Sequence, residues 1–154
     1  MKLSENNKRT LISIFATIGI LSAWGGATIG GQYIYDHYVK YNIEQMINIS
    51  HQIPDPVKKE NERISIYSKW IDKMVIVYRI YPNLSMQDGA RFYSDYARHN
   101  GWTIESSGLE EDKSGRRGYY LYLYKDGISC DISHTEYSNE WRFWFQKDTA
   151  YRNV

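Results

Sequence analysis

The sequence predicts an α+β protein with one N-terminal transmembrane helix, followed by a small antiparallel sheet of about five or six strands with one packed helix. Three observations support this prediction. Residues 10–35 contain no charged side chain. Beyond residue 63, short segments rich in Ile, Val and Tyr alternate with turn-forming residues, which is typical of strands and hairpins. One segment between them has apolar residues at helical spacing.

The charge-free run is long enough to cross a bilayer, whose apolar core needs about 20 residues of helix. Lys2, Lys8 and Arg9 precede the run, and this basic flank predicts that the N-terminus stays in the cytoplasm. We therefore expect a bacterial cytoplasmic (inner) membrane protein with its C-terminal domain outside. Five parts are predicted along the chain: a cytoplasmic flank at 1–9, the transmembrane helix at 10–35, a juxtamembrane helix and linker at 36–62, an extracytoplasmic domain at 63–148 and a tail at 149–154.

Two alternatives to a permanent anchor remain open. The basic flank and the small residues Gly25, Gly26 and Ala27 would also suit a cleavable signal peptide. The apolar run is longer than the 7–15 residues usual for such a peptide and resumes after Ala27, so retention is expected. A buried helix of a soluble protein is the other alternative, although the rest of the chain is short for covering an all-apolar helix.

Small residues recur on one face of the predicted membrane helix. Ser22, Gly26 and Gly30 are four residues apart and would let a second helix approach closely. This spacing predicts helix packing and a possible homodimer. The alternative is that Gly is simply common in membrane helices.

The linker and the first elements of the domain follow from local patterns. Pro54 and Pro56 end a short helix after residue 50. Segments 63–69 and 74–81 predict a hairpin. Ser85 is a helix N-cap, apolar residues then recur at helical spacing, and Gly101 follows the last turn, so a helix is expected from about Met86 to His99.

The rest of the domain is predicted as strands. Trp102 starts one strand, and residues 106–117 form a polar loop. Asp126-Gly127 forms a type I′ turn between a strand at 118–125 and a strand that begins at Ile128 and ends near His134. This two-residue turn pairs Leu123 with Cys130 on the inner side of the sheet, where Cys130 acts as a small buried hydrophobe. A final strand covers 140–146, with Trp141, Phe143 and Phe145 facing inward.

No motif supports catalysis. The sequence has no phosphate-binding loop, dinucleotide fingerprint, zinc motif or nucleophile elbow, and its four His residues are scattered. We interpret Glu110, Glu111 and Asp112 as a solvated charge run. A single Cys forms no intramolecular disulfide. No enzyme activity, cofactor or metal site is therefore predicted.

The outward side of the predicted sheet is the candidate binding site. It carries the partner-binding candidates Tyr120, Tyr122, Tyr124, Arg142 and Trp144. Aromatic side chains of this kind supply binding energy in many interfaces, so we expect an extracytoplasmic protein partner. A near-neutral net charge of +1 argues against nucleic acid.

Other interpretations of the same face stay open. The Tyr residues could form ordinary cross-strand pairs, or residues 41–53 could fold over them. A cell-wall glycan could stack on the rings. An envelope hydrolase would require a cleft that gathers His134 with Asp131 or with Glu110 and Glu111.

Overall fold

The structure, a computed structural model, describes residues 5–69, 72–111 and 115–147. In chain order its helices and strands are α1 (Glu5–Gln52), β1 (Asn61–Lys69), β2 (Asp72–Ile80), α2 (Met86–His99), β3 (Thr103–Glu111), β4 (Arg117–Lys125), β5 (Ile128–Thr135) and β6 (Glu140–Lys147). The predicted α+β fold with an antiparallel sheet is confirmed. The sheet has six strands in the order β1-β2-β6-β5-β4-β3.

The long helix α1 begins near the N-terminus and ends just before Pro54. Within the described residues, no helix combines the length and the apolar character needed to cross a membrane. This finding goes against the transmembrane helix predicted at 10–35. The helix is present there, but Gly, Ser, Thr and Gln separate the apolar residues. The side chains of 10–16, 18, 21, 23, 34 and 35 lie outside the described residues.

The chain divides into two compact units, Met1–Lys40 and Tyr41–Val154. In the first unit, the described helix exposes Ile20, Trp24, Ile29 and Tyr33. In the second unit, the last turns of α1 belong to the core, because Met46 and Ile53 are almost fully buried. The sheet therefore has two helical segments packed on it where the sequence predicted one.

Helix α2 has the predicted bounds and the predicted caps. The Ser85 side chain accepts a hydrogen bond from the backbone N–H of Asp88, which satisfies one free donor of the first turn. Gly101 follows Asn100 with φ +74°, the left-handed conformation that glycine adopts most readily. Tyr93 and Ala97 are fully buried on the side of α2 that packs on the sheet.

The β4–β5 hairpin has the predicted register. Leu123 pairs with Cys130 and Tyr122 with Asp131. Asp126 and Gly127 have φ values of 50° and 76°, as a type I′ turn requires. Cys130 is fully buried, which confirms its predicted place in the core.

The polar loop predicted at 106–117 is wrong for most of its length. Residues 106–111 continue β3 and pair with β4 as far as Arg117, and residues 112–114 lie outside the described residues. An edge strand has a free side in solvent, so it tolerates the polar composition that suggested a loop. Gly108 also lies against the Tyr120 ring, where a larger residue would crowd the phenol.

Candidate interaction surface

One side of the sheet carries the two helical segments of the second unit, the end of α1 and α2, and the other side carries an aromatic surface. Alternation along the strands separates the two, because successive side chains point to opposite faces. We call the side opposite the helices the outer face. Its apolar and aromatic members are Tyr67, Met74, Ile76, Tyr78, Tyr120, Tyr122, Tyr124 and Trp144.

Cross-strand pairing joins these side chains into rows. Ile76 lies opposite Trp144, Trp144 opposite Asp131, and Asp131 opposite Tyr122. Directly opposed residues of antiparallel strands have Cβ atoms about 5 Å apart, so this row is continuous across four strands. A second row contains Tyr78, Arg142 and Tyr120, with Ser133 between the last two.

The sequence identified four aromatic residues of this surface and missed its other half. Tyr67, Met74, Ile76 and Tyr78 lie on β1 and β2, and they join the Tyr residues only because β2 pairs with β6. The alternation of Met74, Ile76 and Tyr78 was the available signal. The pairing that places it beside Trp144 spans about 70 residues of chain and has no local signature.

The outer face combines exposed and partly buried rings. Trp144 is 40% exposed and Tyr67 is 50% exposed, whereas Tyr120, Tyr122 and Tyr124 are half-buried. The rings of Tyr120 and Tyr122 are 5.2 Å apart between centroids and are tilted by 42°. Burial raises the pKa of Tyr122, and the nearby carboxylates of Asp131 and Glu110 add to this increase. Tyr122 is therefore a neutral hydrogen-bond donor at physiological pH.

Charged groups flank the aromatic residues. The Arg63 guanidinium lies 4.4 Å from the centre of the Tyr78 ring, within range of a cation–π interaction. Arg142 Nε donates to Glu140 Oε1 at 3.0 Å, and the Arg142 side chain is 59% exposed. The surface thus offers both apolar area and exposed hydrogen-bond donors.

Within the second unit, neither of the two described helical segments covers the outer face. The alternative in which residues 41–53 fold over the Tyr residues is wrong, because this segment packs on the opposite side. Lys147 Nζ, at the inner-face end of β6, donates to Asn42 Oδ1 at 3.0 Å. Helix α2 contacts the same inner side through Tyr93, which packs against Phe143.

A buried arginine fixes the end of α1 on the inner face. Arg79 is 2% exposed and donates to the backbone carbonyls of Ser50 at 2.7 Å and Ile53 at 2.8 Å. Its Nε also donates to Glu62 Oε2 at 2.9 Å, and Asp55 Oδ1 lies 3.3 Å from Nη1. These contacts supply donors to carbonyls at the helix end, where intrahelical donors run out, and compensate the buried charge.

Neighbouring cations lower the pKa of the Glu62 carboxyl in this network. Desolvation acts to raise the pKa of Glu62, but the hydrogen bonds and charges of Lys59 and Arg79 outweigh it, so the Glu62 pKa is lowered. Tyr81 donates to Asp55 and accepts from the Tyr93 hydroxyl at 3.2 Å. The network joins α1, β2 and α2. It was not predicted, although the single Arg within the otherwise uncharged stretch 74–80 was a visible signal.

The cleft required by a hydrolase is present in part. Glu110, Glu111 and His134 line one open depression at the end of the sheet, and Asp131 does not line it. The His134 ring stacks on Trp141 at 4.5 Å, and its Nδ1 contacts the backbone carbonyl of Glu140 at 3.1 Å. Burial lowers the pKa of His134, and the bond to that carbonyl opposes the decrease. In the described part of the chain, the hydrogen bond of His134 goes to backbone and not to a carboxylate side chain.

The remaining predicted positions have simpler environments. Ser22, Gly26 and Gly30 are exposed on α1, and a Cβ atom at either glycine would have no neighbour within 4 Å. Among the described residues, no group of three or more His, Cys, Asp or Glu side chains could hold a metal ion.

A scan against models of protein families finds no match to this chain, and a search of curated proteins finds none either.

Proposed function

We propose that this protein is a non-catalytic binding module whose outer face docks on another protein, as an accessory subunit or an inhibitory subunit of the immunity type. The observation that carries the proposal is that both helical segments of the second unit pack on one side of the sheet, while the aromatic rows lie on the other. Interfaces obtain most of their energy from Tyr, Trp and Arg in such positions.

The shape of the outer face supports a protein partner more than a glycan. Stacking on a sugar needs a flat, accessible ring, and only Trp144 and Tyr67 of the outer-face rings are more than about a third exposed. Tyr120, Tyr122 and Tyr124 are half-buried, and the rings of Tyr120 and Tyr122 are tilted to one another. Half-buried rings of this kind offer little flat area to a sugar and suit contacts to a folded protein surface.

The proposed location rests on the sequence. The charge-free run at 10–35 and its basic flank predict attachment to the bacterial cytoplasmic membrane with the N-terminus inside. The second unit would then meet its partner outside the cytoplasm.

Site-specific photo-crosslinking in cells tests the binding face. A photo-reactive phenylalanine at Tyr122 should give an adduct, and the same probe at Gln87, exposed on α2, should not. A protease-sensitive adduct supports a protein partner. An adduct removed only by wall-degrading enzymes would support the glycan alternative instead.

Substitutions then test the energetic role of the rings. Trp144→Ala should weaken binding of the captured partner by about thirtyfold, which corresponds to about 2 kcal/mol. Gln87→Ala is the matched control on the opposite side and should leave binding unchanged. Equal affinity of wild type and Trp144→Ala, with circular dichroism showing that both are folded, would remove this surface as the binding site.

A further inference from the structure

The two edge strands of the sheet differ in how readily another strand could pair with them. The edge strand β3 has an irregular register between Ile104 and Ser106, a glycine at position 108 and acidic residues at 105, 110 and 111. Bulges, glycines and charges of this kind discourage pairing with a foreign strand. This edge is protected.

The opposite edge strand, β1, has neither a register shift nor a glycine, and its charged residues, at 62, 63 and 69, lie near its two ends, so residues 64–68 carry no charge. It pairs with β2 without a register shift from Asn61 to Lys69. Ile66 is 52% exposed and Tyr67 is 50% exposed. A long regular edge strand with exposed apolar side chains is a template for adding another strand.

We propose that β1 pairs in antiparallel orientation with β1 of a second copy of this chain, which joins the two sheets into one. Residues that lie opposite each other in a sheet have their side chains on the same face, and successive residues of one strand alternate between faces. A twofold axis perpendicular to the sheet, which relates two copies of the same strand, must therefore pass through a residue and not between two residues. An axis at Ser65 sets Ile64 opposite Ile66 of the partner subunit. It also sets Arg63 opposite Tyr67 of the partner subunit.

The chemistry of β1 favours this register and this occupant. The Ile pairs bury apolar side chains on the inner side. Arg63 already lies over the Tyr78 ring, and it would gain a second aromatic neighbour on the outer face. An axis at Ile66 would instead oppose Tyr67 with Ser65 of the partner subunit, and the contact between Arg63 and the partner's Tyr67 would be lost.

Pairing through β1 extends the candidate interaction surface. Tyr67 and Tyr78 lie on the two strands nearest this edge, so two outer faces would meet there as one continuous aromatic surface. The proposal does not depend on which partner the outer face binds. It also differs from association through Ser22, Gly26 and Gly30 on α1.

Disulfide trapping of the full-length chain tests the pairing and its register. Ser65→Cys should form an intermolecular disulfide, because the two introduced thiols meet at the axis. Ser106→Cys, exposed on the β3 edge, is the matched control and should not crosslink. Wild type should stay uncrosslinked, since Cys130 is fully buried. Crosslinking at both edges, or at neither, would overturn the proposal.

A second variant tests the same edge in solution. Ile66→Lys places a charge opposite Ile64 of the partner subunit and should convert a dimer to a monomer in light-scattering measurements, whereas Ser107→Lys on β3 should leave the dimer intact. A wild-type monomer, or a dimer that survives Ile66→Lys, would contradict pairing through β1. If Ile66→Lys does not fold, the Ser65→Cys result decides.

Discussion

Gly89 lies directly against the indole of Trp141, and a Cβ atom at this position would overlap the ring. Trp141 is fully buried and also contacts Tyr93 and His134, and these contacts restrict the movement of the indole. The absence of a side chain at Gly89 therefore sets how closely α2 approaches β6.

Gly89→Ala is expected to destabilise the protein. Alanine in place of a helical glycine gains up to about 1 kcal/mol from helix propensity. Forcing an extra carbon into a packed core costs about 1 to 3 kcal/mol, so we expect a net loss near 1 kcal/mol. Urea unfolding followed by tryptophan fluorescence measures this. Gln87→Ala, exposed on the same helix, is the control, and a stabilised Gly89→Ala protein would show that the indole can shift.

Arg79→Met should release the end of α1. The change removes the guanidinium donor from the Ser50 and Ile53 carbonyls and leaves Glu62 with Lys59 as its cationic partner. Breaking a buried ion pair from one side costs about 3 to 5 kcal/mol. Hydrogen exchange should show lost protection at the end of α1 before the sheet opens.

Arg142→Met is the matched control for the arginine change. Arg142 also pairs with a glutamate, but its side chain is 59% exposed. Exposed pairs contribute about 0 to 1 kcal/mol. Similar losses of unfolding free energy in the two variants would contradict the structural role assigned to Arg79.

His134 should make the protein less stable in mild acid. Burial holds the pKa of folded His134 below its ordinary value of about 6.5, so the unfolded chain takes up a proton first as the pH falls. The free energy of unfolding should decrease below about pH 6.5 and stop decreasing once the folded imidazole is also protonated. The slope is at most about 1.4 kcal/mol per pH unit.

A variant isolates this contribution from other titrating groups. His134→Phe keeps an aromatic ring against Trp141 and removes the titration, so its unfolding free energy should depend less on pH between 5 and 6.5 than that of wild type. His51→Asn, on the exposed last turn of α1, is the control. Parallel pH profiles for wild type and His134→Phe would exclude His134 as the cause.

Local chemistry explains which parts of the fold could be predicted. The Asp126-Gly127 turn fixes the register of its hairpin because a two-residue loop leaves one way to pair the strands. Ser85 and Gly101 fix the ends of α2 in the same local way. The inward positions of Trp141 and Cys130 then follow from alternation.

The unpredicted parts depend on contacts distant in sequence. Arg79 and Ser50 are 29 residues apart, and nothing near either residue shows that the helix end packs on β2. The β2–β6 pairing is likewise non-local, which is why Ile76 and Tyr78 were not assigned to the outer face. In β3, polar composition suggested a loop because an edge strand in solvent has few apolar residues to reveal it.

The topology of the chain can be tested directly. The basic flank before residue 10 predicts a cytoplasmic N-terminus, so a reporter active only outside the cytoplasm should work when fused after Val154. Replacing Lys2, Lys8 and Arg9 with Glu should reduce its activity, because positive charge near a span holds that side in the cytoplasm. Changing Lys58, Arg91 and Arg117 to Glu, three exposed residues well beyond the run, is the matched control. Mass spectrometry should find Met1 to Ala27 retained, whereas a mature N-terminus near Thr28 would mean that a signal peptide is removed. A reporter active only inside the cytoplasm would contradict the predicted location and leave the binding face to be tested there.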